Sequence, residues 1–244
     1  MKVLHVNGSL TPKGNTPTAP GGIERHPFEP FLPEGAQMLF LGSFPPQPHR
    51  WNMPFYYPNW INDFWRIMGL IHYADRNHFC IPAEKRFNEA LIRQFCADKG
   101  LAFYDTACEV RRLKDNASDA FLEVVTPTDI PALLARIPDC RRIITTGEKA
   151  TGVVAERFGC PVPAIGECVE IAGRAGNDGP GGWPRMPGEQ SRMSGEQCRM
   201  PGEQSRLAGE PGQAPMEFWR MPSTSRAYPL ALEKKAEYYR KLFI

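Results

Sequence analysis

The chain has 244 residues, a formal net charge of +2 at pH 7 and seven cysteines. This length suits one domain with extensions, and the small net charge means that any contact with nucleic acid must come from a local basic patch. No apolar run is long enough for a transmembrane helix, and the N-terminus lacks the apolar core of a signal peptide. The cysteines form no C-x-x-C pair, so we expect neither a zinc site nor a redox pair, but reduced thiols in a cytoplasm.

Residues 1–22 are expected to form an N-terminal extension. The segment Lys2–Ser9, followed by Gly14-Asn15-Thr16, resembles the strand and phosphate loop that open flavodoxin-like FMN reductases. In that fold a helix follows the loop, so that the helix N-terminus holds the phosphate. Pro17, Pro20 and the glycines after them oppose such a helix. Flavin binding is therefore a weaker alternative than an added strand or a loose tail, and we expect no cofactor.

Alternating strand and helix patterns occupy most of residues 23–244, beginning with an extended segment from Ile23 to Pro33. The first buried strand is predicted at Met38–Leu41, and further strands at 101–105, 142–146, 163–172 and 216–221. Helical spacing predicts helices from about Asn62 and over 83–99, 130–137, 148–158 and 230–243. Strands that alternate with helices predict an α/β fold, a three-layer α/β/α sandwich around a short, mainly parallel central sheet.

Residues 185–212 consist of a tandem repeat of seven residues, with the units RMPGEQS, RMSGEQC, RMPGEQS and RLAGEPG. Each unit has one apolar side chain and a glycine, so the repeat cannot form a coiled-coil seam. Arginine and glutamate nearly balance, which excludes a basic arm. We interpret residues 176–214 as a flexible insertion in the domain, with no catalytic role.

The strand at Met38–Leu41 ends in the turn Gly42-Ser43-Phe44-Pro45-Pro46, and a loop rich in aromatic residues follows. Open α/β sheets bind ligands beyond the carboxyl ends of their strands, at turns of this kind. Aromatic rings there suit a planar ligand, such as a nucleobase. We expect Phe55 or Tyr56 to stack on the base, while some of the aromatic residues belong to the core. Candidate hydrogen bonds to the base come from Ser43 and the backbone around Phe44, next to Gly42 and Pro45.

Three motifs resemble the uracil-DNA glycosylase superfamily. GSFPP followed by FYYPNWINDFW resembles its first motif and is most similar to the branch of mismatch-specific uracil/thymine and hypoxanthine-DNA glycosylases. Residues 221–227, MPSTSRA, resemble the second motif, a Pro-Ser loop that pushes on the DNA, and residues 142–150 resemble the strand-glycine-helix step between the two. The resemblance covers residues 24–173 and 216–244. It implies a monomeric, monofunctional glycosylase that flips a deaminated base, uracil or hypoxanthine, out of double-stranded DNA and hydrolyses the N-glycosidic bond without cofactor or metal.

The chain departs from the superfamily pattern at two positions. Relatives often carry Asp or Asn at the third position of G-x-x-P-G to position water, whereas Phe44 stands here. They often begin the Pro-Ser loop with His or Asn, which stabilises the leaving base, whereas Met221 stands here. The hypoxanthine branch shares both departures. The resemblance assigns catalysis to Asn62, which matches the Asn of H-P-x-N-x-F-W, and to Asp63; the alternatives are a helix cap and a first-turn carboxylate.

The resemblance also implies that the Pro-Ser loop binds DNA through Ser223, Thr224, Ser225 and Arg226. Ser223 would contact a phosphate, and Arg226 would fill the vacated stack or bind phosphate, unless it is an ordinary surface arginine. Two interpretations remain for five other basic residues, either further phosphate contacts or ordinary solvated charges. These residues are Arg111, Arg112, Lys114, Arg141 and Arg142. Because Phe44 and Met221 replace polar residues, the main alternative is a catalytically inactive DNA-binding or base-sensing protein on the same scaffold.

Overall fold

The computed structural model describes residues 22–113, 121–171 and 215–244. Its strands are β1 (Ile23–Arg25), β2 (Met38–Gly42), β3 (Cys80–Ile81), β4 (Arg86–Phe87), β5 (Leu101–Asp105), β6 (Ala107–Arg112), β7 (Leu122–Pro127), β8 (Arg142–Thr145), β9 (Glu167–Ile171) and β10 (Met216–Arg220). Its α-helices are α1 (Phe64–Tyr73), α2 (Glu89–Asp98), α3 (Ile130–Arg136), α4 (Glu148–Phe158) and α5 (Leu232–Arg240), and a 3-10 turn at Lys241–Phe243 follows α5.

A five-stranded sheet with the order β5-β2-β8-β10-β9 lies at the centre of the fold. Four of its strands are parallel, and β9 pairs antiparallel with β10 at one edge. Strands β2 and β5 are buried almost throughout, as is typical of the continuous apolar strands of a parallel sheet. The predicted three-layer α/β sandwich with a mainly parallel central sheet is confirmed.

Aromatic side chains hold the first and last helices against this sheet. Phe40 of β2 stacks on Phe103 of β5 with ring centroids 5.2 Å apart. Phe64, the first residue of α1, meets Phe40 edge to face at 5.5 Å, and Tyr239 of α5 meets Phe64 at 6.2 Å. Burying each of these side chains contributes about 1.5–3 kcal/mol to stability. The packing fixes the N-terminus of α1 beside the end of β2.

A second, antiparallel sheet with the order β1-β6-β7 was absent from the sequence prediction. Arg111 and Arg112, which the sequence offered only as phosphate contacts or solvated charges, form the end of strand β6. The apolar alternation of a strand is hidden here because Arg112 occupies an inward position. Its buried guanidinium forms two hydrogen bonds with the carboxylate of Glu24 in β1, at 3.0 and 3.1 Å, and paired charges are the ones that proteins bury.

The helix predicted over 83–99 was too long at its start. Helix α2 begins at Glu89, and Phe87 belongs to strand β4. The side chain of Asn88 accepts a hydrogen bond from the backbone N–H of Leu91 at 3.2 Å, which is the N-cap interaction that starts a helix. The other predicted elements are present with small changes in length. The predicted N-terminal extension (except Gly22), the repeat and Lys114 lie outside the described residues.

None of the helices within the described ranges is long and apolar enough to cross a lipid bilayer. The cysteines in these ranges are all free thiols, at positions 80, 96, 108, 140, 160 and 168.

Candidate active site

A cavity of about 670 Å³ opens where β2 and β5 end. Its walls are the turn Gly42–Pro46, the loop around Tyr56 and Tyr57, the residues before α1, and the Pro-Ser loop at 223–227. Cavities of this size at the carboxyl ends of parallel strands bind small molecules or parts of larger ones. The first and second motifs, which lie far apart in the sequence, therefore face one another across a single cavity.

The turn at Gly42–Pro46 is held in place by the second sheet. The ring of Phe44 packs with Ala107, Val110 and Leu122 in a small apolar cluster, although its edge still lines the cavity. The guanidinium of Arg112 donates a hydrogen bond to the carbonyl of Pro45 at 3.2 Å. Gly42, Ser43 and Pro45 line the cavity beside Phe44. These contacts fix the backbone of the turn, and the apolar Phe44 ring offers no group that orients water.

Two neighbouring tyrosines form the aromatic wall of the cavity. Tyr56 donates its hydroxyl to the carbonyl of Glu29 at 2.9 Å and packs on Phe103. Tyr57 stacks face to face on Phe64, with centroids 3.9 Å apart, and its hydroxyl bonds Thr146 at 2.8 Å. Tyr57 has a φ of 52°, a left-handed backbone conformation that bulky residues rarely adopt and that clusters at functional sites.

Both phenols remain neutral in this environment. Burial raises the pKa of Tyr56 well above its usual value, and the negative charge of Asp105 raises it further. Burial likewise raises the pKa of Tyr57, although its hydrogen bond with Thr146 acts in the opposite direction. A phenol with such a pKa does not act as a base near neutral pH. The two tyrosines can therefore provide stacking surfaces and neutral hydrogen bonds.

Phe55, the other predicted stacking residue, lies in the core. It is 1% exposed and packs against Phe31, Trp65 and Phe103. The guanidinium of Arg93 covers its ring, with the central carbon 4.2 Å from the ring centroid. Phe55 does not line the cavity, whereas Tyr56 does. Of the two stacking candidates, only Tyr56 lines the cavity, although it is itself 3% exposed and packed in the core.

Asn62 lies at the rim of the cavity, immediately before α1. Its Oδ1 accepts a hydrogen bond from the backbone N–H of Phe64 at 2.9 Å, a local side-chain turn that Asn favours at helix starts. The N-cap residue of α1 is Asp63, which makes no side-chain cap hydrogen bond, so Asn62 shapes the turn before the helix rather than serving as its N-cap. The Nδ2 amide makes no hydrogen bond with any described residue and can donate to a ligand in the cavity.

Asp63 is directed away from the cavity. Its Oδ2 accepts a hydrogen bond from the buried ammonium of Lys235 at 2.9 Å, and its Oδ1 lies 3.7 Å from Nε of Arg226. Its backbone N–H donates to the carbonyl of Thr224 at 2.9 Å. These contacts join the start of α1 to α5 and to the Pro-Ser loop. They do not bring the carboxylate to the wall of the cavity, as the catalytic assignment would require.

The Pro-Ser loop is shaped by its own hydroxyl groups. The Oγ of Ser223 accepts a hydrogen bond from the N–H of Ser225, and the Oγ of Ser225 accepts one from the N–H of Ala227, both at 3.2 Å. Thr224 is buried beneath the loop, and Arg226 is half exposed at its tip. Met221 is 1% exposed and belongs to the core, so its side chain is not available to a departing base.

The sequence analysis missed a buried carboxylate in the cavity. Asp105 ends β5, and its Oδ2 lies 3.0 Å from Nε2 of His26. Because an ionised carboxylate can only accept, Nε2 is the donor. Open α/β sheets bind ligands beyond the carboxyl ends of their strands, and this rule applies to Asp105 at the end of β5 as well as to the turn after β2. The partner histidine comes from the segment after β1, and no local pattern signals that contact.

Positive charge predominates around the cavity. Arg50, Arg112 and Arg226 line it, and among the described lining residues Asp105 is the single carboxylate. The other arginines proposed for phosphate contact have partners: Arg111 pairs with Glu123, Arg142 pairs with Glu217, and Arg141 donates to backbone carbonyls. Arg50 and Arg226 both line the cavity, and Arg226, although it also pairs with Asp63, is half exposed, so these two are the best placed to meet a phosphate backbone. No group of His, Cys, Asp and Glu within the described ranges could hold a metal ion.

Comparison with known proteins identifies the fold. No protein-family model and no curated protein sequence matches this chain. The structure is similar to the solution NMR structure of a Methanosarcina acetivorans protein that is provisionally named a uracil DNA glycosylase, with a TM-score of 0.52 and 16% sequence identity. The match covers 91% of this chain and 100% of that one. This chain has a uracil-DNA-glycosylase-like fold. A structural match at 16% identity establishes the architecture. Activity and substrate have to be argued from the chemistry of the cavity.

Proposed function

We propose that this protein is a monofunctional DNA glycosylase of base-excision repair. It hydrolyses the N-glycosidic bond of a deaminated base, uracil or hypoxanthine, after the nucleotide has been flipped out of double-stranded DNA. The observation that carries the proposal is the cavity in which an aromatic wall, an amide donor and a carboxylate converge beneath a loop that bears Arg226. A flipped base needs a stacking surface and hydrogen bonds to its edge, while the strand needs contacts to its backbone. The glycosylase-like fold supports the same reading.

The parts of the cavity correspond to the demands of the reaction. Tyr56 and Tyr57 offer the stacking wall, and the Nδ2 amide of Asn62 offers a donor toward the base. As the glycosidic bond breaks, the base takes the bonding electrons and becomes negatively charged, so a fixed donor favours the transition state. The second reactant is water, and the proposed reaction needs no cofactor. The proposed acting form is the monomer.

Two features favour the hypoxanthine and mismatch-specific branch of the superfamily. The turn reads GSFPP, and Phe44 within it is packed into the second sheet. The Pro-Ser loop begins with Met221, whose side chain is buried. Both uracil and hypoxanthine present a carbonyl beside an N–H, and the carbonyl suits an amide donor such as that of Asn62.

A single-turnover excision assay tests the proposal. Duplex oligonucleotides carrying uracil, hypoxanthine or a mismatched thymine are incubated with excess protein, and hot alkali then cuts the strand at each abasic site. We expect cleavage of the uracil or the hypoxanthine strand and none of an undamaged control. Absence of cleavage on every duplex, with a correctly folded protein, contradicts the proposed activity.

The buried side chains of Phe44 and Met221 favour one alternative, a protein on the same scaffold that binds DNA or senses bases without cutting. The same oligonucleotides distinguish the two functions when binding is measured beside cleavage. Binding that prefers a damaged duplex, without strand cleavage in alkali, supports the sensing function. Strand cleavage at the modified base supports the enzyme.

A further inference from the structure

Where the turn carries Phe44 in place of an Asp or Asn, the neighbouring strand supplies a carboxylate to the cavity. Asp105 pairs in register with Gly42, the first residue of the turn. A Cβ atom built on Gly42 would lie 2.5 Å from Oδ1 of Asp105, closer than any two such atoms can approach. The missing side chain at Gly42 therefore leaves the space that the carboxylate oxygen occupies. This places an acceptor next to the turn in which Phe44 offers none.

We propose that Asp105 is the catalytic carboxylate that orients and deprotonates the attacking water, and that His26 is the positioning residue that holds it. The inference rests on the proposed glycosylase function and names the residue that replaces the missing polar group. Among the described residues that line the cavity, no other side chain is a carboxylate. An acceptor is required because the water must donate a hydrogen bond to turn its lone pair toward the sugar.

Asn62 is less suited to this role. Its Oδ1 is already bonded to the backbone N–H of Phe64, and the group left over is the Nδ2 donor. A donor can stabilise the departing base but cannot accept a proton from water. The two residues therefore divide the reaction, with Asn62 on the side of the leaving base and Asp105 on the side of the water.

The contacts of His26 let its ring hold Asp105 whether the imidazole is neutral or charged. Nε2 donates to Oδ2 of Asp105, while Nδ1 lies 3.1 Å from the backbone N of Phe28 and 2.8 Å from its carbonyl oxygen. A neutral ring can accept from that N–H, and a charged ring can donate to that carbonyl. The imidazole side chain is 3% exposed and is enclosed by the rings of Phe44, Tyr56 and Tyr104. Oδ2 of Asp105 is thus fixed, and Oδ1 remains for the water.

The proposed step balances as a hydrolysis. The water oxygen forms a bond to the anomeric carbon of the sugar, and one water proton passes to Oδ1 of Asp105. The bond between that carbon and the base nitrogen breaks, and its electron pair leaves with the base. Asp105 then releases the proton to the departed base through solvent. The products are an abasic sugar with a hydroxyl group and the neutral free base.

Asp105→Asn is the central test. The asparagine can still accept from His26, but it carries no charge and cannot take a proton. Its single-turnover excision rate should fall about 100-fold or more, which is the usual contribution of a general base, while binding to a duplex with a tetrahydrofuran abasic analogue is unchanged. The matched control is Asp129→Asn, which makes the same change at the N-cap of α3, where Asn caps as well as Asp. The control should keep the wild-type rate.

Gly42→Ala provides a second route that leaves the carboxylate in the sequence. The added methyl group displaces Oδ1, and a misplacement of about 1 Å can cost about 100-fold in rate. Gly152→Ala adds the same group in helix α4, where nothing lies within 4 Å, and should keep full activity. For His26, His26→Phe should slow excision about tenfold at unchanged DNA affinity. His26→Gln, whose amide can donate to Asp105, should recover part of that loss.

The outcomes separate this inference from the function on which it rests. If the wild-type protein excises no base, both are overturned. If the wild-type protein excises a base and Asp105→Asn does so at the same rate, only the role of Asp105 is overturned. If Asp105→Asn excises a different base at an undiminished rate, Asp105 reads the base and the water role is overturned. A large loss of rate on every substrate, with a normal melting temperature, supports the proposal.

Discussion

Lys235 and Asp63 form a buried ion pair that joins the last helix to the first. The ammonium lies 2.9 Å from Oδ2 of Asp63 and also donates to the carbonyl of Ser225 at 2.8 Å. The carboxylate end of the same pair lies 3.7 Å from Arg226. The pair thus holds the start of α1, the Pro-Ser loop and α5 in one arrangement, directly beneath the rim of the cavity.

Removing the cation of this pair should destabilise the protein strongly. Lys235→Ala leaves Asp63 buried with incomplete compensation, which typically costs about 3–5 kcal/mol of unfolding free energy. Lys234→Ala, one position earlier on α5, removes only an exposed pair with Glu237 and should cost less than about 1 kcal/mol. Urea denaturation of both variants measures the difference. Equal, small losses would show that the buried pair does not hold these elements together.

Replacing Asn62 should separate its structural role in the turn before α1 from its role in excision. Asn62→Ala removes the donor toward the leaving base and should lower the single-turnover rate by about 100-fold, as expected for loss of one such donor. Asn88→Ala is the matched control, since it removes the side-chain cap of α2, at a cost of about 1 kcal/mol in stability. If both variants excise equally fast, Asn62 only shapes the turn before α1.

Arg226 at the tip of the Pro-Ser loop should matter most on duplex DNA. A side chain that fills the vacated stack helps only where a stack has to be held open, at a cost of a few kcal/mol. Arg226→Ala should therefore weaken duplex binding about tenfold and binding to the same single strand much less. The control Arg86→Ala removes another partly exposed arginine with a carboxylate partner, away from the cavity. Equal losses on both DNA forms would instead indicate a simple phosphate contact.

The connection between β9 and β10 should be replaceable by a short turn. Ile171 at the end of β9 pairs directly with Met216 at the start of β10 in an antiparallel ladder. A short Asn-Gly turn can join such ends. Because closing a shorter connection costs less entropy, the change should raise the free energy of unfolding by about 2 kcal/mol. Thermal melting of the shortened chain checks this. A lower melting temperature would show that residues 172–215 contribute packing.

Local patterns predicted the elements that depend on neighbouring residues. The apolar run at Met38–Leu41, ended by Gly42 and two prolines, indicated a buried strand, a turn and a ligand site, and the structure places a cavity at that turn. Helical spacing predicted the helices. The start of α2 was predicted too early, because the N-cap Asn88 begins this helix only after a short strand. The second sheet was missed because buried Arg112 interrupts the apolar alternation that reveals a strand.

By itself the sequence determined the strands and helices of the central sandwich, the turn at the end of β2 and the candidate Asn62, because each of these depends on a few neighbouring residues. Only the tertiary structure decided which side chains meet. It moved Phe55 into the core, joined Asp63 to Lys235, and placed Asp105 beside Gly42 with His26 behind it. These contacts join residues distant in the chain, and their partners are selected by the packing of strands and helices rather than by local spacing.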